Sequence, residues 1–299
     1  MQTPALPVVI PLLVAAILAA AGSLLPRRML DSVAILTSAA VCAICVVLVK
    51  LSAAGPIVYW FGNWKPDPHG HFPVGVCLMI DPLGAGMAAL VALLVLAALI
   101  FSWSYFESIK SLYHSLMLVF LAAMCGVCLT GDLFNLFVWF ELMTATAVGL
   151  SGYKSDERAP LLGALNFAIS NTVGAFLSLT AVALLYAFTG SLNMSEVGRS
   201  LVAHDPGPAF VSVAFLLLIS GFLVKAAAFP FHFWLADAHA VAPTPVCILF
   251  SGVMVELGVY AIARLYWVIF APLLGADSHA VQVVLLTMGC CGALVGGVF

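Results

Sequence analysis

Charge is what this sequence is short of. Asp, Glu, Lys and Arg make up 8% of its 299 residues, against about 25% in an ordinary globular domain. Because 64% of the chain is hydrophobic, a soluble fold of this length would have too little polar surface to cover its core. A polytopic membrane protein in a cell (inner) membrane follows. A basic surplus is also lacking. The formal net charge of −3 excludes an electrostatic nucleic-acid binder. No positive segment precedes the first apolar run, and Arg27 and Arg28 come after it, so the run is a retained span rather than a secretory signal. A Gly-rich phosphate loop and a cluster-binding cysteine array are missing too. Cys42/Cys45 and Cys125/Cys128 have CxxC spacing, but each pair lies inside an apolar run and reads as small packing residues. Cys290 and Cys291 read the same way.

What is present is a series of apolar runs of about twenty residues, ended by charge, proline or glycine. They predict spans at about 6–25, 33–51, 82–103, 112–130, 133–150, 161–188, 209–229 and 246–270, with a ninth beginning near Ala280 and stopping at Phe299. The segment 59–75 forms the longest loop, and its His69 and His71 are expected to do nothing catalytic. Starting outside, the alternation puts Arg27, Arg28, Lys110, Lys154 and Arg158 on the cytoplasmic side, with Lys65 and Arg199 in external loops. Lys50 and Arg264 fall near span ends and are expected to snorkel to the interface. The last stretch, GCCGALVGGVF, has no polar tail, which predicts a truncated product or the first part of a longer transporter.

Three ionisable residues fall near the middle of spans: Glu141 in the fifth, Lys225 in the seventh and Glu256 in the eighth. Inserting such a group costs roughly 2.5–3.5 kcal/mol, so a functional role is expected. An acid–amine pair can keep both members charged where either alone would neutralise. Lysine suits proton transfer because burial and neighbours readily change its protonation, whereas arginine holds its proton. Structural ion pairing between helices is the alternative. Pro230 should break or kink the seventh span, and broken helices are where transporters place ion sites. His232 and His239 follow the break and can carry protons near neutral pH. Asp237 could bond to either or cap a helix, and no further ligand completes a metal geometry there. Asn166, Ser170, Asn171 and Thr172 suggest one polar face on the sixth span, for water or for a neighbouring helix.

The strings TGDLFNLFVWFELM (130–143), GALNF (163–167), LVKAAAFPFHFWLADAHAVAPTPV (223–246) and GVYAIARLY (258–266) resemble the antiporter-like membrane subunits. That family is shared by respiratory complex I, Mrp-type cation/proton antiporters and membrane-bound hydrogenases. The resemblance covers the first half of such a subunit. It implies an all-α polytopic protein of about nine spans, with spans four to eight forming a five-helix repeat that contains a broken helix. Residues 1–110 would hold the peripheral spans, 111–270 the transport repeat and 271–299 the start of a further span. It carries the family's essential glutamate onto Glu141, its lysine onto Lys225 and its broken-helix histidines onto His232 and His239. The chain departs from the family at two positions. Glu256 stands where relatives usually have lysine or histidine, and Asn166 where many have lysine.

The function implied is a proton-translocating subunit of a complex I-like or hydrogenase-type assembly (formate hydrogenlyase included). Electron transfer would take place in other membrane subunits, and no flavin, cluster, quinone or metal cofactor is expected in this chain. Glu141, Lys225, Glu256, His232 and His239 would carry the proton transfer. One alternative is a subunit of an Mrp-type Na⁺(K⁺)/H⁺ antiporter, and a second is a non-pumping scaffold of such a membrane arm.

Overall fold

Nine of the helices among the described residues are long and apolar enough to cross a bilayer, as the spacing of apolar runs predicts. The structure is a computed structural model that describes residues 3–64, 75–106, 111–154, 156–274 and 278–298. Lys65, His69, His71, Lys110 and the end at Phe299 lie outside them.

The spans are α1 (Leu6–Ala21, extended by a short turn to Leu24), α2 (Arg27–Ser52), α3 (Pro82–Tyr105), α4 (Ser111–Leu129), α5 (Leu133–Ser151) and α6 (Arg158–Thr189). After a short amphipathic helix, α7 (Met194–His204), come α8 (Pro208–Lys225) and α9 (Phe233–Val241), the two pieces of the broken seventh span. The eighth span, Thr244–Leu274, consists of α10 (Thr244–Leu249), α11 (Val255–Leu265) and α12 (Ala271–Leu274). Wider π turns at Phe250–Met254 and Tyr266–Phe270 join its pieces. The ninth span is α13 (Ser278–Val298).

Local chemistry sets the ends. Asp81 caps α3 by accepting from Gly84 N at 2.7 Å, with Pro82 at the first helical position, where its missing N–H costs nothing. Asn193 caps α7 through Ser195 N and Glu196 N, and Gly190 ends α6 at φ +68°, a left-handed position that glycine takes without strain. Helix α2 starts at Arg27, earlier than the hydropathy pattern predicts. Two charges of its first turns are held against neighbouring helices: Arg27 donates to the Trp103 carbonyl and Asp31 pairs with His114.

Helix α4 is the axis of the bundle and is buried along most of its length; α1, α3 and α5 pack along it, and α2 packs on α3. Helices α6 and α8 cross where Gly174 meets Gly221, and small residues there let the backbones approach closely. Two short strands, β1 (Ile57–Trp60) and β2 (Cys77–Ile80), pair antiparallel with Ile57 opposite Ile80 and cap one end of the bundle. There Leu78 bridges to Thr130 and Asp132 to Asn193. At the other end Tyr105 meets Thr244, and Tyr113 packs on Tyr153. Arg27, Lys154 and Arg158 therefore share one end, the basic end, as the alternation of spans requires.

Candidate functional site

Helix α8 stops at Lys225, five residues before the proline expected to stop it. Ala228 N donates to Leu223 O and Ala227 N to Val224 O, both at 3.0 Å. Ala227 sits at φ +48°. This is a Schellman ending with alanine where glycine is usual. The break is thus fixed by backbone hydrogen bonds, and Pro230 lies within the connection to α9. Trp234 ties the two pieces together: its indole N–H donates to Val224 O at 2.9 Å while its ring stacks on Phe167, centroids 4.5 Å apart.

The break brings Lys225 to α5. Its Nζ donates to Glu141 Oε1 at 2.8 Å and to Thr144 Oγ1 at 3.1 Å. Thr144 in turn donates to Phe140 O at 2.9 Å. The Phe140 ring lies 5.8 Å from the ammonium and packs on Phe222. Exposure within the pair is unequal: the lysine side chain is 1% exposed and the glutamate 36%. The amine is sealed, while the carboxylate opens on the outer surface of α5 in line with the exposed Phe134, Val138 and Ala145.

The other three candidates stand apart. Among the described residues, no hydrogen bond or ion pair joins Glu256, His232 or His239 to Lys225 or Glu141. Glu256 is exposed on α11. The face of α11 that meets the break carries Gly258, where a Cβ would stand 2.7 Å from Ala226 N. Position 256 is about 200° round the helix from it, so its carboxylate points away from the lysine. His232 stacks on Phe229, centroids 5.7 Å apart, and its buried Nδ1 has no hydrogen-bond partner. It lines a cavity of about 810 Å³ between the break and α13, together with Ala228, Ala236, Gly289 and Gly292. His239 is half-buried, with its ring edge-on to Phe250.

Residues 130–299 match the family model described as NADH:quinone oxidoreductase/Mrp antiporter, transmembrane. The chain belongs to that family. It is 34% identical over 300 residues to the D-type component of a probable K⁺/H⁺ antiporter of Rhizobium meliloti (strain 1021), covering 98% of this chain and 54% of the relative. It is 35% identical over 272 residues to the N-type component of the NADH-quinone oxidoreductase of Desulforudis audaxviator (strain MP104C), covering 89% and 51%. Among solved structures, a chain of the archaeal membrane-bound sulfane sulfur reductase superposes with a TM-score of 0.86 at 26% identity, over 96% of this chain and 57% of that one. A chain of the Mrp complex from Dietzia sp. DQ12-45-1b gives 0.79 at 29% identity, over 90% and 49%. The chain thus spans about half the length of the curated relatives it matches, and these relatives are subunits of multisubunit membrane complexes.

Several antiporter-family motif residues prove to be scaffold. In TGDLFN, Asp132 caps α5 by accepting from Asn135 N at 2.7 Å, and Asn135 Nδ2 donates to Thr130 Oγ1 at 2.9 Å. Burial pushes the Asp132 carboxyl up to about 6. Asp237 accepts from Asn166 at 2.9 Å and from neither histidine. The expected single polar face of α6 does not form. Asn166 and Thr172 are exposed in different directions, whereas Asn171 is buried and donates to Phe167 O in its own helix.

Arg264 does not snorkel. It is 5% exposed, donates to Asp81 Oδ1 at 2.7 Å and lies over the Tyr260 ring at 5.0 Å, tying the eighth span to the start of the third. Sequence reasoning also missed Thr144, although its i+3 spacing from Glu141 places the two on one helix face. It missed the Asp31–His114 pair as well, which lies far apart in sequence and carries no motif.

Proposed function

We propose that this chain is a proton-translocating membrane subunit of a complex I-like or related respiratory assembly, with residues 111–270 as its transport unit. The observation that carries the reading is the unequal Glu141–Lys225 pair: a sealed amine at a helix break, held by a carboxylate that reaches the outer face of the bundle. While Glu141 is ionised and in contact, the ammonium is stabilised. Protonating Glu141 from its exposed side, or drawing it away, removes that stabilisation and favours release of the lysine proton. Thr144 keeps the amine in place while its charge changes. His232, facing the cavity beside the break, and His239, nearer the basic end, are the next proton carriers in this scheme. Glu256 would act at the outer face of α11 towards another membrane subunit rather than as the residue that follows Lys225. The excess of arginine and lysine at the basic end supports a cytoplasmic placement for it. Electron transfer, where it drives the cycle, belongs to partner subunits.

A second reading, a subunit of an Mrp-type K⁺(Na⁺)/H⁺ antiporter, is favoured by the match to the D-type K⁺/H⁺ antiporter component over 98% of the chain. The experiment for both is Lys225→Ala in the assembled complex, reconstituted in sealed vesicles with a pH-sensitive dye. Loss of proton movement is expected. Dependence on an electron donor supports the first reading, and dependence on an imposed K⁺ or Na⁺ gradient the second. Undiminished proton movement would refute both and leave a scaffold.

A further inference from the structure

Asp237 and Asn166 form a polar patch on the outer surface of the bundle, where α9 packs on α6. The two helices meet closely there: a Cβ on Gly163 would stand 2.9 Å from the Asp237 carbonyl oxygen and 2.7 Å from Val241 Cγ2. Trp234 and Ala238 are the buried side of α9, which leaves Phe233 and Asp237 together on its exposed side. On α6, Leu162, Asn166 and Ile169 are all exposed, at the spacing of one helix face. The result is a continuous outer surface, apolar except at its centre.

The centre lies inside the spans. Asp237 stands four residues before the end of α9 and Asn166 eight residues after the start of α6, roughly 6 and 12 Å from the basic end at 1.5 Å per residue. An aspartate side chain is too short to reach back to water as lysine and arginine do. A carboxylate on the outer surface of a membrane bundle is costly, and such groups pair with another charge. Within this chain the pairing is incomplete. Asn166 Nδ2 donates to Asp237 Oδ2 at 2.9 Å, a bond to a neutral group, and among the described residues no cation reaches the carboxylate. The bases deeper in the spans, Lys225 and Arg264, are sealed in pairs with Glu141 and Asp81, their side chains 1% and 4% exposed.

We propose that the outer face of α6 and α9 is a docking surface for a helix of another membrane subunit, and that this helix brings a lysine or arginine to Asp237. Asn166 holds the carboxylate in place through Oδ2 and leaves Oδ1 for the incoming cation, while Leu162, Ile169 and Phe233 pack against the apolar part of the partner. Charge complementarity selects the partner: a purely apolar helix or a lipid tail laid over this face would bury Asp237 with one neutral bond. The proposal rests on the reading of the chain as one subunit of a membrane complex, not on its carrying protons, and it concerns a surface separate from the Glu141–Lys225 pair.

The test uses the assembled complex with a photo-cross-linking phenylalanine analogue at Phe233, and mass spectrometry of the cross-linked peptide. An apolar segment of another subunit that contains a lysine or arginine is expected. Cross-links to lipid alone, to a copy of this chain, to the same polypeptide or to a segment without a base overturn the proposal. The charge is tested separately. Asp237→Asn keeps an oxygen for Asn166 and removes only the charge, so it should leave unfolding of the isolated chain unchanged and speed release of the partner subunit from the complex at least about tenfold. Asp237→Lys should prevent assembly, and exchanging the base of the cross-linked segment for glutamate should restore it. Unchanged release in Asp237→Asn, or no rescue by the reversed pair, refutes the ion pair. These readouts report assembly and not proton movement, so their failure is distinguishable from failure of the Lys225 assignment.

Discussion

Glu141→Gln should destabilise the protein more than removing the lysine itself, and the structure gives the magnitude. Lys225 is 1% exposed and is offered one carboxylate and one hydroxyl. Without the carboxylate, the amine has two courses. It can stay charged and unpaired, which for a buried pair broken on one side costs about 3–5 kcal/mol. It can instead release its proton at pH 7, which from the ordinary lysine value of about 10.4 costs about 4.6 kcal/mol. Either course predicts a loss near 4 kcal/mol. Lys225→Met leaves the opposite situation: Glu141, 36% exposed, retains partial hydration, and the loss should be about 1 kcal/mol. The double variant contains no buried charge and should lie within about 1 kcal/mol of Lys225→Met. The coupling between the sites is then about 4 kcal/mol and of the sign that a cycle of contacting residues gives. Equilibrium unfolding of the four proteins in mixed detergent micelles measures it. Equal costs for the two single variants, or a double variant equal to their sum, would refute the sealed-amine account of this pair.

Two further predictions concern the frame around the pair. Burial raises the Asp132 carboxyl from 3.8 to about 6, so the folded state binds this proton more tightly than the unfolded chain. Stability therefore falls as pH rises from about 4 to 6, and the full penalty of up to about 3 kcal/mol persists above 6. Asparagine also caps helices, so Asp132→Asn should be the more stable protein at pH 8, with the difference vanishing towards pH 4. A difference that does not change with pH counts against it. Ala227 holds φ +48° at the end of α8, a conformation that costs an L-residue roughly 1–2 kcal/mol. Glycine relieves that cost and returns part of it through the unfolded chain. Ala227→Gly should stabilise the fold by up to about 1 kcal/mol in the same unfolding assay, and a loss of stability would remove the strain argument.

The sequence by itself determined the class of the protein, the number of spans and which ionisable residues lie at membrane depth. The hydrocarbon core imposes a length near twenty residues on every crossing, and that length is written directly in apolar runs between charges. Glu141 and Lys225 were legible for a related reason, since a charge at membrane depth is costly wherever it occurs. Contact and direction were not legible, because they depend on how helices rotate against one another. Arg264 looked like a snorkelling end residue until the fold brought Asp81 to it from across 183 positions. Glu256 looked like a mid-span proton carrier alongside Lys225, but Gly258 occupies the face of α11 that meets the break. Pro230 looked like the reason the helix ends, yet a backbone ending at Ala227 stops it earlier. Asp31 and His114, 83 positions apart, gave no local signal at all. Tertiary packing alone decided which of the few charges in this chain are paired, sealed or open, because pairing is a property of neighbouring helices and not of any one of them.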